Sequence, residues 1–324
     1  MRTGPTAPRA SRAHLARLLV VAALLLVGCR EPVLVPHTPT EEVHRVTGEP
    51  LPPPPIPHER RAALAAAADE AKIRWEAQPE DEDALIWWGR RLAYEGRYRA
   101  ALAAYDVGLS YHPGSPRLRR HRGHRYITVR DFDRAVADLA EARRLAAGMP
   151  DEVEPDGAPN PAGIPRSTMQ GNIAYHLALA HYLRGEFDEA AEAWTRGLAW
   201  GQNDDSLVST SWWLYLSRRR AGDEQGAAAL LEPVQAEMDI LENHAYHQLL
   251  LMAKGEVDVE SLRPARPQDL ESSTLGYGVA AYLLCEGREE EAYELMAAVC
   301  EGAWWPAFGH IAAEADLARA GRGP

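Results

Sequence analysis

The sequence predicts an all-α protein, a right-handed solenoid of about five to six helical hairpins ending in a capping helix. Three observations carry this. From Asp83 onward, segments of about a dozen residues with apolar side chains at helical spacing recur in pairs joined near Gly. The turn glycines Gly222, Gly255 and Gly287 stand 33 and 32 residues apart, the spacing of a repeated supersecondary unit. No stretch alternates apolar and polar as a strand does, and no Gly-rich phosphate loop is present, so Rossmann and P-loop readings have nothing to stand on. A single helix pair cannot bury its apolar face, whereas stacked pairs can.

The elements follow in chain order. Arg2, Arg9, Arg12 and Arg17 precede "LLVVAALLLVGC", with no acidic residue before Glu31, which is the pattern of a secretory leader. The apolar run Leu18 to Val27 is too short to span a bilayer, although an uncleaved short anchor is the alternative. "LVGC" resembles the lipobox of bacterial lipoproteins, and that resemblance implies cleavage after residue 28 and lipidation of Cys29. Arg30 rather than Asp follows the cysteine, which by the same resemblance implies sorting to the outer membrane. Residues 29–57 are Pro-rich without periodicity and are expected to form a semi-extended tether, with the repeat domain over residues 58–320. The Ala-rich segment from Glu59 reads as the first helix, and acidic residues 80–83 as the N-terminus of the next, where the helix dipole favours negative charge.

Charge bounds the partners. Removing residues 1–28, with four Arg and no acid, shifts the formal charge from −12 to −16, which argues against nucleic acid. Against that background Val107 to Arg130 holds six Arg, three His and no carboxylate.

"WWGRRLAYEGRYRAALAAYDVGLSYHP" carries Gly89, Gly96, Tyr98, Ala101, Tyr105, Leu109 and Pro113, and the frame recurs 34 residues on with Gly123, Tyr126, Phe132, Ala135 and Ala142. It returns as Leu177, Ala178, Gly185, Phe187, Ala190, Trp194, Gly197 and Leu198, then weakens up to about residue 306. This pattern resembles the tetratricopeptide repeat. Arg130 stands where the repeat has its turn glycine, and residues 148–172 form an insertion, read as either a tolerated surface loop or a lid over the groove.

The resemblance implies a concave groove built from the first helix of each pair. It places there Trp87, Arg90 and Tyr94, then Arg117, Arg120, His121 and His124, then Asn172, Tyr175 and His176, and finally Trp212 and Trp213. Arg, His, Asn and aromatic side chains at spacings of three and four suit an extended acidic or carboxylate-bearing segment of a protein or peptide partner. Arg119 and Arg122 fall where the family buries apolar side chains, and Leu118 falls outside that set. Either the second first-helix is rotated, or these arginines pair with carboxylates such as Asp106, Asp131 or Asp133.

Other chemistry finds little support. The His pairs 121/124, 176/181 and 244/247 lack a third ligand at a matching interval, so no metal and no cofactor is expected. No nucleophile–base motif is visible, so an enzyme is not expected. Cys285 and Cys300 are read as reduced thiols, since the antiparallel pairing sets them too far apart for a disulfide. The resulting expectation is a lipid-anchored, extracytoplasmic scaffold for an envelope protein or peptide; a structural lipoprotein bridging envelope components through its convex face is the alternative.

Overall fold

A computed structural model gives the fold. It describes residues 43–155, 157 and 159–323, together with Met1 and Gly4. The leader, Cys29 and the first part of the tether lie outside the described residues. Among those described there are no named strands, only two isolated bridges, His44 with Pro50 and Val153 with Thr168.

Helix α1 (His58–Ala77) leads into six hairpins: α2 (Glu82–Tyr94) with α3 (Tyr98–Tyr111), α4 (Pro116–Thr128) with α5 (Phe132–Ala146), α6 (Met169–Arg184) with α7 (Phe187–Gly197), α8 (Asp204–Ala221) with α9 (Glu224–Ala229), α10 (His244–Ala253) with α11 (Val259–Leu262), and α12 (Leu270–Cys285) with α13 (Glu289–Cys300). A last helix, α14 (Phe308–Arg319), stands alone. Each helix packs on its successor through most of the stack, and first helices also touch one another, as α2 with α4 and α4 with α6 do. The expected all-α, tetratricopeptide-type solenoid is therefore the architecture observed.

Local chemistry explains the hairpins. Asp81, Ser115, Thr168, Asn203 and Asp269 cap α2, α4, α6, α8 and α12 by accepting backbone N–H groups of the first turn. Where the two helices of a pair cross, the repeat keeps glycine. A β-carbon on Gly89 would lie 2.3 Å from the Tyr105 ring, and one on Gly123 would lie 2.6 Å from Leu139. The hairpins decay in the fourth and fifth units because proline intervenes. Pro233 cannot donate to a helix and restricts Glu232, so α9 stops early.

Two expectations need correction. The tether does not run free to His58, because residues 43–57 lie against the helical body. Val43 and Leu51 are buried, Leu51 N–H donates to the Val43 carbonyl (2.7 Å), and Trp305 Nε1 donates to the Pro52 carbonyl (2.8 Å). The Pro54 ring covers Gly96, where a β-carbon would come within 2.3 Å of it. Second, the arginines of α4 pair with carboxylates while Gly123 keeps its crossing with α5, but the main partner is Asp138 rather than Asp131 or Asp133. Leu118 is wholly buried, over the space left by Gly108, while Arg119 and Arg122 reach the buried carboxylate of Asp138 at 3.4 Å and 2.6 Å. Arg122 also meets Asp106 at 2.6 Å, and Asp131 and Asp133 pair elsewhere, with Arg134 and Arg184.

Helix α14 does more than cap. It packs on α13 and α12 as a cap would, and also on α6 across the concave side. Its residues from Gly309 to Leu317 are buried on every face, including His310, Glu314 and Asp316. Glu314 accepts from Arg130 Nε (3.1 Å) and Nη2 (2.9 Å), from Arg45 Nη1 (3.3 Å) and from His310 Nε2 (3.0 Å). Asp316 accepts from both Arg220 Nη atoms (3.1 and 3.0 Å), from Tyr277 Oη (2.9 Å) and from Arg319. These carboxylates tie the second hairpin, the fourth and the N-terminal segment to the last helix. Cys285 and Cys300 are unpaired thiols, and burial pushes them up to about 11 and about 12.

Arg130 explains its own departure from the repeat. It occupies φ +65°, a conformation that costs a non-Gly residue about 1 kcal/mol, and its guanidinium is the main partner of Glu314. Arg130→Gly relieves the backbone yet strands a buried carboxylate, so the variant should be less stable by about 2–4 kcal/mol in chemical denaturation. A gain in stability would show that turn geometry outweighs the ion pair.

Burial alone would raise the Glu314 carboxyl, but the hydrogen bonds and charges of His310 and Arg130 outweigh it and hold the group at about 2 against an ordinary 4.5. A depressed carboxylate stabilises the fold fully above its unfolded pKa and loses that contribution as pH falls toward the folded one. Stability should therefore drop between about pH 4.5 and pH 2. Glu314→Gln, unstable throughout, should show a shallower drop over that window in acid titrations followed by circular dichroism.

Candidate functional site

The first-helix residues divide into three groups. At one end, Trp87, Arg90 and Tyr94 are half-buried on α2. The Arg90 guanidinium lies 4.5 Å from the Trp87 ring centroid, donates to Tyr94 Oη (3.2 Å from Nη2) and donates from Nη1 to the Pro155 carbonyl (2.7 Å). Arg117 on α4 pairs with Glu82 (3.0 Å) and Asp83 (2.5 Å). Arg120 and His121 are buried: Arg120 Nη1 donates to His121 Nδ1 (3.0 Å), and the Glu154 carboxylate sits 3.1 Å from Arg120 Nε and 3.3 Å from His121 Nε2. Asn172 Nδ2 donates to the same carboxylate (2.8 Å).

Glu154 belongs to the insertion. Its flanks pair as a short ladder, with Glu154 N–H to the Ser167 carbonyl (3.0 Å) and Met169 N–H to the Glu152 carbonyl (2.8 Å). Arg166 pairs with Asp239 (2.7 Å) and Asn160 Nδ2 donates to Glu242 (2.6 Å), so the insertion is a strap lying from α2 to the segment before α10. The basic island, free of carboxylates in sequence, is thus ringed by them in space: Glu82, Asp83, Asp106, Asp138, Glu154 and Glu314. The expectation of an open positive surface is corrected accordingly.

In the middle of the concave side, His124 and His176 pack at a 38° tilt with ring centroids 4.2 Å apart, and Phe308 covers both at 5.4 and 5.7 Å. His176 Nδ1–H donates to the Asn172 carbonyl (2.6 Å). Burial first, and then the charges of Arg120, Arg125 and their neighbours, push His121, His124 and His176 well below 6.5, so all three are neutral near pH 7. They act here as aromatic packing with one polar edge. Among the described residues no three His, Cys, Asp or Glu side chains converge as metal ligands.

The third group departs from expectation. Trp212 and Trp213 are each 1 % exposed and are core, not groove. Trp212 stacks on Tyr215 (5.5 Å), and Trp213 stacks on Trp194 (6.4 Å) and Tyr277 (5.7 Å) while donating from Nε1 to Tyr246 Oη (3.2 Å). Helix α8 is packed on all sides, so its aromatic pair has no solvent face to present.

A cavity of about 490 Å³ opens at the N-terminal ends of α6, α8, α10 and α12. Tyr175, His176, Trp200, Tyr246 and Phe308 give it an aromatic lining. Arg166, Glu242, His244 and Glu271 mark its polar edge, and Leu270, 58 % exposed, stands among them. The cavity wall is fixed by Asp205. Its wholly buried carboxylate accepts the N–H groups of Leu241, Glu242 and Asn243 and faces Arg166 Nε at 3.3 Å. The hydroxyls of Ser209 and Thr274 donate to helix carbonyls four residues back, so neither is poised as a nucleophile. Asn172, Tyr175 and His176 were legible in sequence as part of this surface. Trp200 and Tyr246 were not, because they lie where the repeat pattern has decayed.

No family model and no curated protein matches the sequence. Among solved structures, the chain is similar to YrrB, described as a TPR protein with an unusual peptide-binding site, at 14% identity over 78% of this chain and 100% of that one, with a TM-score of 0.42. It is similar to MamA at 14% identity over 61% and 96% of the two chains, with a TM-score of 0.41. It is similar also to the APC/C hetero-tetramer Cut9–Hcn1 at 14% identity and a TM-score of 0.35, covering 82% of this chain and 62% of that one. On its own geometry, with Gly89 and Gly123 at equivalent helix crossings 34 residues apart, the chain is a solenoid of the tetratricopeptide type.

Proposed function

We propose that this chain is a lipid-anchored, extracytoplasmic scaffold that holds a segment of a protein partner on its concave side. The observation that carries the reading is the aromatic cavity at the open ends of four first helices. It is concave, preformed and lined by rings with a few polar groups at its edge, which is the character of a site for an apolar side chain of a bound segment. An exposed leucine at its mouth suits contact with a partner. The bound segment runs from there toward Arg90, Arg120 and His121, and carries carboxylates that match that end. The anchor rests on the lipobox resemblance of "LVGC".

The cavity is tested at its rim. Leu270 is exposed, so Leu270→Glu leaves stability within about 0.5 kcal/mol. It should nevertheless weaken capture of the partner, isolated by photo-crosslinking from the exposed position His244, by about tenfold or more. Unchanged capture would remove the cavity from the binding surface. The anchor is tested separately. Radiolabelled fatty acid should enter the wild-type chain and not Cys29→Ala, and label in the variant would overturn the lipid anchor.

A further inference from the structure

The strap presents an extended acidic segment of this chain to the basic end of the concave side. Residues 151–155, "DEVEP", lie along the edge of residues 166–169 through two backbone hydrogen bonds. From this short ladder the strap makes side-chain and main-chain contacts with four first-helix residues, Arg90, Arg120, His121 and Asn172. The Glu154 carboxylate meets Arg120, His121 and Asn172, and the Pro155 carbonyl accepts from Arg90. Arg120 and His121 are buried beneath this carboxylate, so without it Arg120 would be a desolvated cation with no counter-charge in contact.

The fit is that of an occupant more than of core. A pocket of about 40 Å³ remains between the strap and the helices, lined by Ile86, Trp87, His121 and Val153. Val153 itself is 62 % exposed, so the strap contributes little apolar burial to hold it down. Its grip is polar and edge-on, which is how an extended peptide is held by a neighbouring edge and an arginine pair.

We propose that residues 151–155 are a tethered occupant of a recognition site: Glu154 stands where a carboxylate of the partner's extended acidic segment binds, and the partner enters by displacing the strap. This rests on the partner-binding reading above and adds its regulation. An incoming carboxylate replaces Glu154 one for one, so Arg120 never loses its counter-charge. The ion pair then contributes little to net affinity, and the strap lowers apparent affinity by the fraction of time it is closed. Selection falls to whatever else the partner brings, above all a side chain for the aromatic cavity.

Two variants open the site by different means. Glu154→Gln removes the competing charge. Gly157→Val leaves Glu154 intact but places a side chain where a β-carbon would already lie 1.8 Å from Tyr94 Oη and 2.7 Å from Arg90 Nη2, which loosens the strap from α2. The probe is a fluorescent peptide with the sequence of residues 149–157, titrated by anisotropy against the full chain in detergent. Both variants should bind it at least tenfold more tightly than wild type. Binding should weaken in raised salt and be lost when Arg120→Ala is added to Gly157→Val. Equal affinity of wild type and both variants, with circular dichroism showing all of them folded, would overturn the proposal. So would binding that survives Arg120→Ala. The Leu270→Glu result is independent of this titration: if the peptide fails while Leu270→Glu still weakens partner capture, the strap proposal falls and the scaffold reading stands.

Discussion

The buried carboxylate of Glu314 is the constraint on which the rest depends. Alone in an all-apolar setting it would be protonated or would not be buried, since an isolated ion costs several kcal/mol to desolvate. It is kept charged by Arg130 from the turn of the second hairpin, His310 from its own helix and Arg45 from the segment before α1. Removing any one of these leaves the others incompletely matched. Helix α14 thus lies on the concave side against α6, and the N-terminal ends of α6, α8, α10 and α12 beside it form the aromatic cavity. A second buried acid, Asp316, holds the far end of the same helix through Arg220 and Tyr277. Acid and base here specify position more than they add stability.

The hairpins were legible in sequence because their causes are local. Gly89 and Gly123 recur where helices cross, caps precede first turns, and apolar residues repeat at helical spacing; each of these needs only its neighbours. The ion pairing of α4 was legible only as a conflict, with Arg119 and Arg122 at positions expected to be apolar. Its resolution needed Asp138, which lies on the next helix and has no fixed offset in the pattern. The lining of the cavity was half legible. Asn172, Tyr175 and His176 sit in a strong repeat, whereas Tyr246 sits in one that Pro233 and the irregular residues after it have interrupted.

The main departures come from contacts far apart in sequence. Nothing local marks Trp212 and Trp213 as core rather than groove: a tryptophan on a first helix reads the same whether α12 packs against that side or leaves it open. Likewise, composition marks residues 43–57 as a tether, and only the presence of Trp305 and Gly96 as partners turns prolines into packing. The insertion was legible as unusual. That its acidic residue would return to the basic island depends on a turn-rich loop bringing Glu154 back beside Arg120, a matter of three-dimensional closure.

A repeat solenoid ordinarily gains its stability from neighbour to neighbour, so it can begin to fold anywhere and fray from either end. This chain has given up that freedom. The pairs Arg45–Glu314 and Arg130–Glu314 span 269 and 184 residues. Neither can form until residue 314 has been synthesised, and until then the early hairpins hold an arginine without this partner and an uncovered concave face. Such long closures slow folding, since the loop entropy must be lost before the contact is gained. Until then the early hairpins are held by their sequence neighbours alone. In the finished molecule the same closures join the N-terminal segment and the second hairpin directly to the last helix, a coupling that neighbour-to-neighbour packing alone does not supply.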